Sequence, residues 1–166
     1  MAKNGADQAS SVRDLIYRSA MMMDGQQVTE WLEGLCTPDF EYRITAYSHE
    51  IRREQEWFHG LRDELIDVVK MMPYHNTDHS PFTRHVSVYT VDLDKSGKTA
   101  DVVSSVVVYQ NMFDGINSHF DSGETRLFCS GKYYDRVSLE GDQPRLLQRN
   151  VRLDTRRLDK GSHFLL

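Results

Sequence analysis

Four residues of the stretch PYHNTDHSPFTRH (73–85), His75, Asp78, His79 and His85, carry side chains able to bind a metal or move a proton. His75 and His79 are four apart, the spacing of two ligands on one helical face, and Asp78 would complete the two-histidine, one-carboxylate set of non-haem iron. The surroundings argue otherwise. Pro73 and Pro81 bracket the stretch and work against a regular helix through it, and no Glu follows His75 as in the HExxH signature. The stretch reads as a loop whose histidines serve an interface or structural role rather than a metal.

A second pair with chemical potential is Asp135 and Arg149. Both fall on the apolar face of a long hairpin, Thr125 to Arg156, and a register that sets Leu139 opposite Arg145 also sets Asp135 opposite Arg149. A charge on such a face is tolerated only when partnered, so the pair is expected to form an inward ion pair bracing a curved sheet, with a polar pocket lining as the alternative. Together with Tyr42 and His85 these residues could also line an acid–base cavity, where a perturbed His or Asp would abstract a proton beside a carbonyl. Cys36 and Cys129 sit in no CxxC, CxH or CxxH spacing that would hold zinc or an iron–sulfur cluster, and both read as free thiols.

The elements that must position these residues follow from apolar periodicity. Val12, Leu15, Ile16, Ser19, Met22 and Met23 recur at helical spacing until Asp24-Gly25, with residues 1–11 expected as a flexible tail. Val28, Trp31, Leu32 and Leu35 share one face of a second, short helix, and Thr37-Pro38-Asp39 is expected to separate it from a first strand at 40–47. The charged run EIRREQE (50–56) reads as a solvated loop or helix start, and Trp57, Leu61, Leu65, Val68, Val69 and Met72 as a third helix ended by Pro73. Two β-rich runs follow at 84–94 and 99–113, then a loop at 114–124.

On the first limb of the closing hairpin Leu127, Cys129, Tyr133, Val137 and Leu139 alternate with polar neighbours, and on the second Leu147, Val151 and Leu153 do the same. The segment 140–144 supplies the turn. The last residues, including Phe164, Leu165 and Leu166, are too apolar to remain solvated and are expected to dock on this domain or on a neighbour.

The 166 residues and 39 % hydrophobic content suit one domain spanning 1–166. A net charge of -5, with acids and bases interleaved, argues against a nucleic-acid surface. No run approaches the roughly 18 apolar residues of a membrane span, and no signal-peptide pattern is present, so a cytoplasmic protein is expected. The pattern as a whole predicts an α+β cone, with N-terminal helices packed on a strongly curved antiparallel sheet.

Several runs carry a resemblance: Met23-Asp24, Trp31-Leu32, Asp39-Phe40-Glu41-Tyr42, Arg84-His85 and, most specific, Leu147 through Thr155 with its Arg149 and Leu153-Asp154-Thr155. In these the chain resembles the NTF2-like (cystatin-like) superfamily, and more narrowly the small β subunits of Rieske-type ring-hydroxylating oxygenases. The run AYSHEIRREQEW (46–57) is similar to the methanesulfonate monooxygenase branch of those subunits. The 73–85 stretch departs from many aromatic-acid members in carrying histidine where they carry more arginine.

The resemblance implies a structural subunit with no catalytic, cofactor or metal residues of its own. It implies a large α subunit carrying a Rieske [2Fe–2S] cluster and a mononuclear Fe(II), an α3β3 assembly with this chain self-associating as a trimer, and a reductase or ferredoxin acting through the α subunit. The complex would oxidise a small aromatic acid or an alkanesulfonate. His75, His79, Arg84, His85, Asp135, Arg149, Asp154 and Phe164 are the expected interface or structural residues. The competing expectations are a stand-alone isomerase or dehydratase of the same fold and a ligand-binding scaffold.

Overall fold

The computed structural model describes residues 5–75, 80–113, 122–158 and 165–166, with the backbone alone at residue 75. Three helices, α1 (Gly5–Asp24), α2 (Val28–Gly34) and α3 (Arg62–His75), pack against six strands: β1 (Cys36–Ser48), β2 (Arg53–Leu61), β3 (Phe82–Leu93), β4 (Thr99–Asn111), β5 (Thr125–Ser138) and β6 (Arg145–Leu153). The strands form one sheet in the order β2-β1-β6-β5-β4-β3. All neighbours are antiparallel except β1 and β6, which run parallel, so the sheet is mixed where an antiparallel one was expected.

The sheet curves because four of its antiparallel pairings each skip one residue. Trp57, Tyr89, Phe128 and Leu147 lack a register partner, and each interruption adds local twist and bends its strand. The bulges also change which side chains face inward. Leu146, not Leu147, is buried on β6, and Leu127 on β5 is exposed while Phe128 packs edge-on against Phe82 at 4.7 Å. Strict alternation through a bulge therefore assigns two leucines to the wrong face.

The concave face is covered by α1, which lays Val12, Leu15, Ile16 and Met23 on the core, and by α2, whose Trp31 meets Phe40 edge-on at 5.5 Å. Helix α1 begins at Gly5, so residues 5–11, expected as tail, are helical. Its end is closed by hydrogen bonds from Gln26 N–H to the Met23 carbonyl and from Gln27 N–H to the Met22 carbonyl. The left-handed position of this closure is Gln26, at φ 57°, rather than the adjacent Gly25.

Three further expectations are corrected. Residues 53–61 are an edge strand, not a loop and the start of a helix. Trp57, Leu61 and Leu65 happen to be spaced by four, but Trp57 is the bulged residue and Leu61 is exposed, while Phe58 packs against the core. The helix starts directly at Arg62, where the Glu64 carboxylate accepts the Leu61 N–H at 2.8 Å. Pro73 lies inside α3, which continues to residue 75; the proline removes one hydrogen bond and crowds the turn before it, and only two helical residues follow. Strand β1 likewise runs through Pro38, which is accommodated where the β1–β6 pairing is irregular between Cys36 and Glu41.

Candidate functional site: a polar cluster inside the cone

The alternation of β5 and β6 turns Asp135 and Arg149 inward, and the register sets them opposite each other. The Arg149 guanidinium donates from Nε to Asp135 Oδ1 and from Nη2 to Oδ2, both at 2.8 Å, in a forked pair sealed from solvent. Its remaining nitrogen, Nη1, donates to Ser19 Oγ at 3.0 Å, and the Trp31 indole N–H reaches the same oxygen at 2.7 Å. Tyr133 lies under the guanidinium, its ring centroid 4.2 Å from Cζ. Burial opposes the Arg149 charge, but the Asp135 carboxylate outweighs it through charge and hydrogen bonds and holds the guanidinium protonated above its usual range.

A second buried arginine stands on β3. Arg84 donates from its backbone N–H and from Nη1 to the Asp24 carboxylate at the end of α1, the latter at 2.7 Å. Its Nη2 donates to the Leu165 carbonyl at 2.8 Å. Tyr42 grips the next residue on both sides, its hydroxyl accepting the Leu166 N–H at 2.8 Å and donating to the Leu166 main-chain oxygen at 2.9 Å. Burial pushes the Tyr42 phenol well above its usual range. The expected docking of Leu165 and Leu166 on this domain is thus observed, with both side chains buried.

Of the sequence candidates, Arg84, Asp135 and Arg149 are brought into this interior together with Tyr42. His85 is not. It is exposed, with its ring edge-on to Tyr109 at 5.5 Å, because it neighbours the inward-facing Arg84 on a strand where side chains alternate. Asp154 is also exposed and approaches Lys132 Nζ at 3.3 Å. The side chain of His75 and the whole of Asp78, His79 and Phe164 lie outside the described residues. Among the described residues, no group of three or more His, Cys, Asp or Glu side chains is placed to hold a metal ion, and no helix is long and apolar enough to cross a membrane.

The proton chemistry open to this cluster is narrow. Asp135 spends both oxygens on Arg149, and Tyr42 uses its proton and accepts a hydrogen bond in return, so neither stands ready as a base. Ser19, Trp31 and Asp24 belong to the cluster and were missed as polar partners. Ser19 had left one signal: a hydroxyl on the apolar stripe of α1, where only a partnered polar group is tolerated.

The outer face carries another missed feature. Glu41 accepts hydrogen bonds from Arg43, His59 and Gln148, while Glu54 pairs with Arg152. These contacts join β2, β1 and β6, so they were invisible while 53–61 was read as loop and helix.

Residues 6–150 match the family model of the SnoaL-like domain. The chain belongs to the SnoaL-like family. Within that family it is 48 % identical over 158 residues to the methanesulfonate monooxygenase hydroxylase subunit beta of Methylosulfonomonas methylovora, covering 95 % of this chain and 87 % of that one. It is 32 % identical over 155 residues to the 2-aminobenzenesulfonate 2,3-dioxygenase subunit beta of an Alcaligenes species, covering 92 % and 95 %. Among solved structures, naphthalene 1,2-dioxygenase superposes with a TM-score of 0.73 at 17 % identity over 96 % of this chain and 85 % of that one. The beta subunit of benzoate 1,2-dioxygenase from Burkholderia mallei gives 0.64 at 14 % identity over 93 % of each. These structures share the SnoaL-like fold, and the two curated relatives place the chain among oxygenase beta subunits.

Proposed function

We propose that this SnoaL-like chain is the structural β subunit of a Rieske-type non-haem iron oxygenase that acts on a sulfonate. The observation that carries the reading is the 48 % identity, spread over 95 % of the chain, to a subunit of a methanesulfonate-oxidising enzyme. The second relative, named for an aminobenzenesulfonate, widens the substrate class to sulfonates while keeping the role of the chain the same. The [2Fe–2S] cluster and the mononuclear iron would sit on a large α subunit, the two chains assembling as α3β3 in the cytoplasm. Electrons would arrive through that α subunit, and no cofactor would bind here.

In this role the interior cluster maintains the shape of a support. A forked ion pair with every partner supplied specifies one arrangement of β5, β6 and α1, as a rigid docking surface requires. His85 and Asp154, exposed on strand β3 and beside the end of β6, are offered as contacts to neighbouring subunits, as are His75, His79 and Phe164. Arg84, Asp135 and Arg149 are offered as internal braces.

The test is co-expression with a Rieske-type oxygenase large subunit from the same genome. The two chains should co-purify at a fixed ratio, and methanesulfonate-dependent oxygen uptake should require both, with iron and the visible cluster absorption following the large subunit. Failure of the chains to associate, or turnover of a cyclic ketone by this chain alone that is lost in Asp135→Asn, would overturn the reading.

A further inference from the structure

The two edges of the sheet are not alike. Strand β2 closes one side and carries Arg53, Glu54 and Glu56 together with the Trp57 bulge, the kind of charge and irregularity that keeps a bare edge from pairing with another chain. Strand β3 closes the other side, and between the buried Arg84 and Asp92 it has no Lys, Arg, Asp, Glu or Pro.

The hydrogen bonds of β3 show which of its main-chain groups lie bare. Asn111 N–H donates to the Pro81 carbonyl, and the register then steps by two through Thr83 with Tyr109, His85 with Val107 and Ser87 with Ser105, so these residues bond β4. Arg84, Val86 and Val88 between them turn N–H and carbonyl to the free side, as the Arg84 N–H bonded to the Asp24 carboxylate demonstrates. Among the described residues, no group meets the Val86 or Val88 main chain on that side.

Beside this edge runs an open groove of about 360 Å³, walled by Tyr17, Met21 and Asp24 of α1 and by His85, Val86 and Ser87 of β3. Tyr17 is 43 % and Met21 74 % exposed, and Tyr89 on the outer face is 61 % exposed, so apolar surface flanks the bare main chain on both faces of the sheet. Helix α1 runs antiparallel to β3, with Asp24 bonded to Arg84 and Gly5 lying close to Leu93.

We infer that a second copy of this chain docks here, its β3 pairing antiparallel with β3 of the first about a two-fold axis beside Ser87. Each copy brings the same bare edge, and antiparallel pairing is self-complementary, so one axis satisfies both. Val86 exchanges its main-chain hydrogen bonds with Val88 of the second copy, and Val88 does so with its Val86. Asp24 occupies the Arg84 N–H at one end and the Tyr89 bulge interrupts the edge at the other, which confines the pairing to this window.

The charges agree with this arrangement. On the outer face His85 comes opposite Tyr89 of the second copy, and no like charges meet along the shared edge. The same axis sets the two α1 helices side by side and antiparallel, with Tyr17 beside its own counterpart and Arg13, one turn away, approaching Asp24 of the second copy. A pairing this short gives a reversible dimer. A two-fold contact is not a contact of a threefold ring, so the dimer is a form of the chain free of any large subunit and rests on none of the oxygenase reading.

Sedimentation equilibrium of the purified full chain is the test. The parent should pass reversibly from monomer to dimer as concentration rises. The two copies of Ser87 stand opposite each other on the axis, so Ser87→Lys places like charges at the closest point of the pair and should weaken association at least about tenfold, as should Ser87→Asp. An equimolar mixture of the two variants should recover the parent affinity to within about threefold, because opposite charges then face each other. Gln55→Lys, on the other edge strand, should associate as the parent does.

Hydrogen exchange adds a readout at the edge itself: the Val86 and Val88 amides should slow at least about fivefold when the parent is concentrated, and should not slow in Ser87→Lys. A chain that stays monomeric at millimolar concentration, a trimer, a dimer indifferent to Ser87→Lys or weakened by Gln55→Lys, or a mixture that associates no better than either variant alone would each overturn the inference.

Discussion

Asp135 and Arg149 meet across β5 and β6 through two parallel hydrogen bonds of 2.8 Å, and neither side chain has solvent to replace its partner. Breaking one half of such a pair leaves the other charge buried alone, which costs far more than the pair contributes as a whole. Arg149→Met is expected to destabilise the fold by roughly 3 kcal/mol. The paired change Asp135→Leu with Arg149→Met should recover most of that loss. Urea midpoints of the three proteins measure both effects, and a single variant as stable as the parent would remove the ion pair from the account.

Ser19 tests the same cluster from α1. Its hydroxyl oxygen receives both Trp31 Nε1 and Arg149 Nη1, so Ser19→Ala strands two buried donors at once. The expected loss is about 2 kcal/mol in urea unfolding, accompanied by a shift in Trp31 fluorescence in the folded protein. A loss no greater than that of an exposed serine would show that neither donor depends on this oxygen.

Gly131 is required by a close approach between strands. A Cβ there would press into the Arg152 carbonyl and stand 2.9 Å from the Leu153 Cα, both parts of the β6 backbone that cannot rotate aside. Gly131→Ala should therefore destabilise by about 2 kcal/mol, within the usual range for overpacking. An unchanged melting temperature would mean that β5 and β6 separate more readily than their register indicates.

Glu41 predicts an acid limb. The hydrogen bond from Arg43, with smaller help from the Arg43 charge and from His59, holds its carboxyl below the usual 4.5 despite some opposition from burial. A depressed folded value means that its stabilisation is complete above the unfolded value and disappears as pH falls through the lower, folded one. Stability measured between pH 5 and pH 2 should thus fall less steeply in Glu41→Gln than in the parent, while at pH 7 the variant is slightly the weaker. Parallel pH profiles for the two proteins would contradict this.

Cys36 and Cys129 should be inert in the folded chain. Burial raises both thiols, Cys129 to about 12 and Cys36 further, against smaller opposing effects of nearby arginines. At pH 8 neither is a thiolate, the reactive form. A thiol reagent should label almost no cysteine in buffer and both in urea. Rapid labelling of native protein would show that one of them opens to solvent.

Much of this was legible before any coordinates, and the failures have identifiable causes. Alternation runs unbroken through the middle of β5 and turns Asp135 inward, but the expected register was off by one at the turn: Ser138, not Leu139, pairs with Arg145, and Asp135 still meets Arg149 because the unpaired Leu147 shifts the register back. The same alternation failed at Leu127 and Leu147 because a bulge adds one residue to a strand without announcing itself in residue type.

Strand β2 was misread because its outward-facing charges pair with Arg43 and Arg152 on other strands, contacts that exist only after the sheet has formed. Tyr42 offered no sign that it would hold a main-chain amide more than 100 positions away. Propensity and periodicity are local, and these features are made by long-range packing.

The parallel pairing of β1 with β6 has a consequence for synthesis. Residues 41–46 find their partners only in 148–153, so about 100 intervening residues must be made before β1 is flanked on that side. On the ribosome the early strand would wait with one row of amides and carbonyls unpaired, and the core would close late. This high contact order predicts slow maturation and a window of vulnerability to association with other nascent chains.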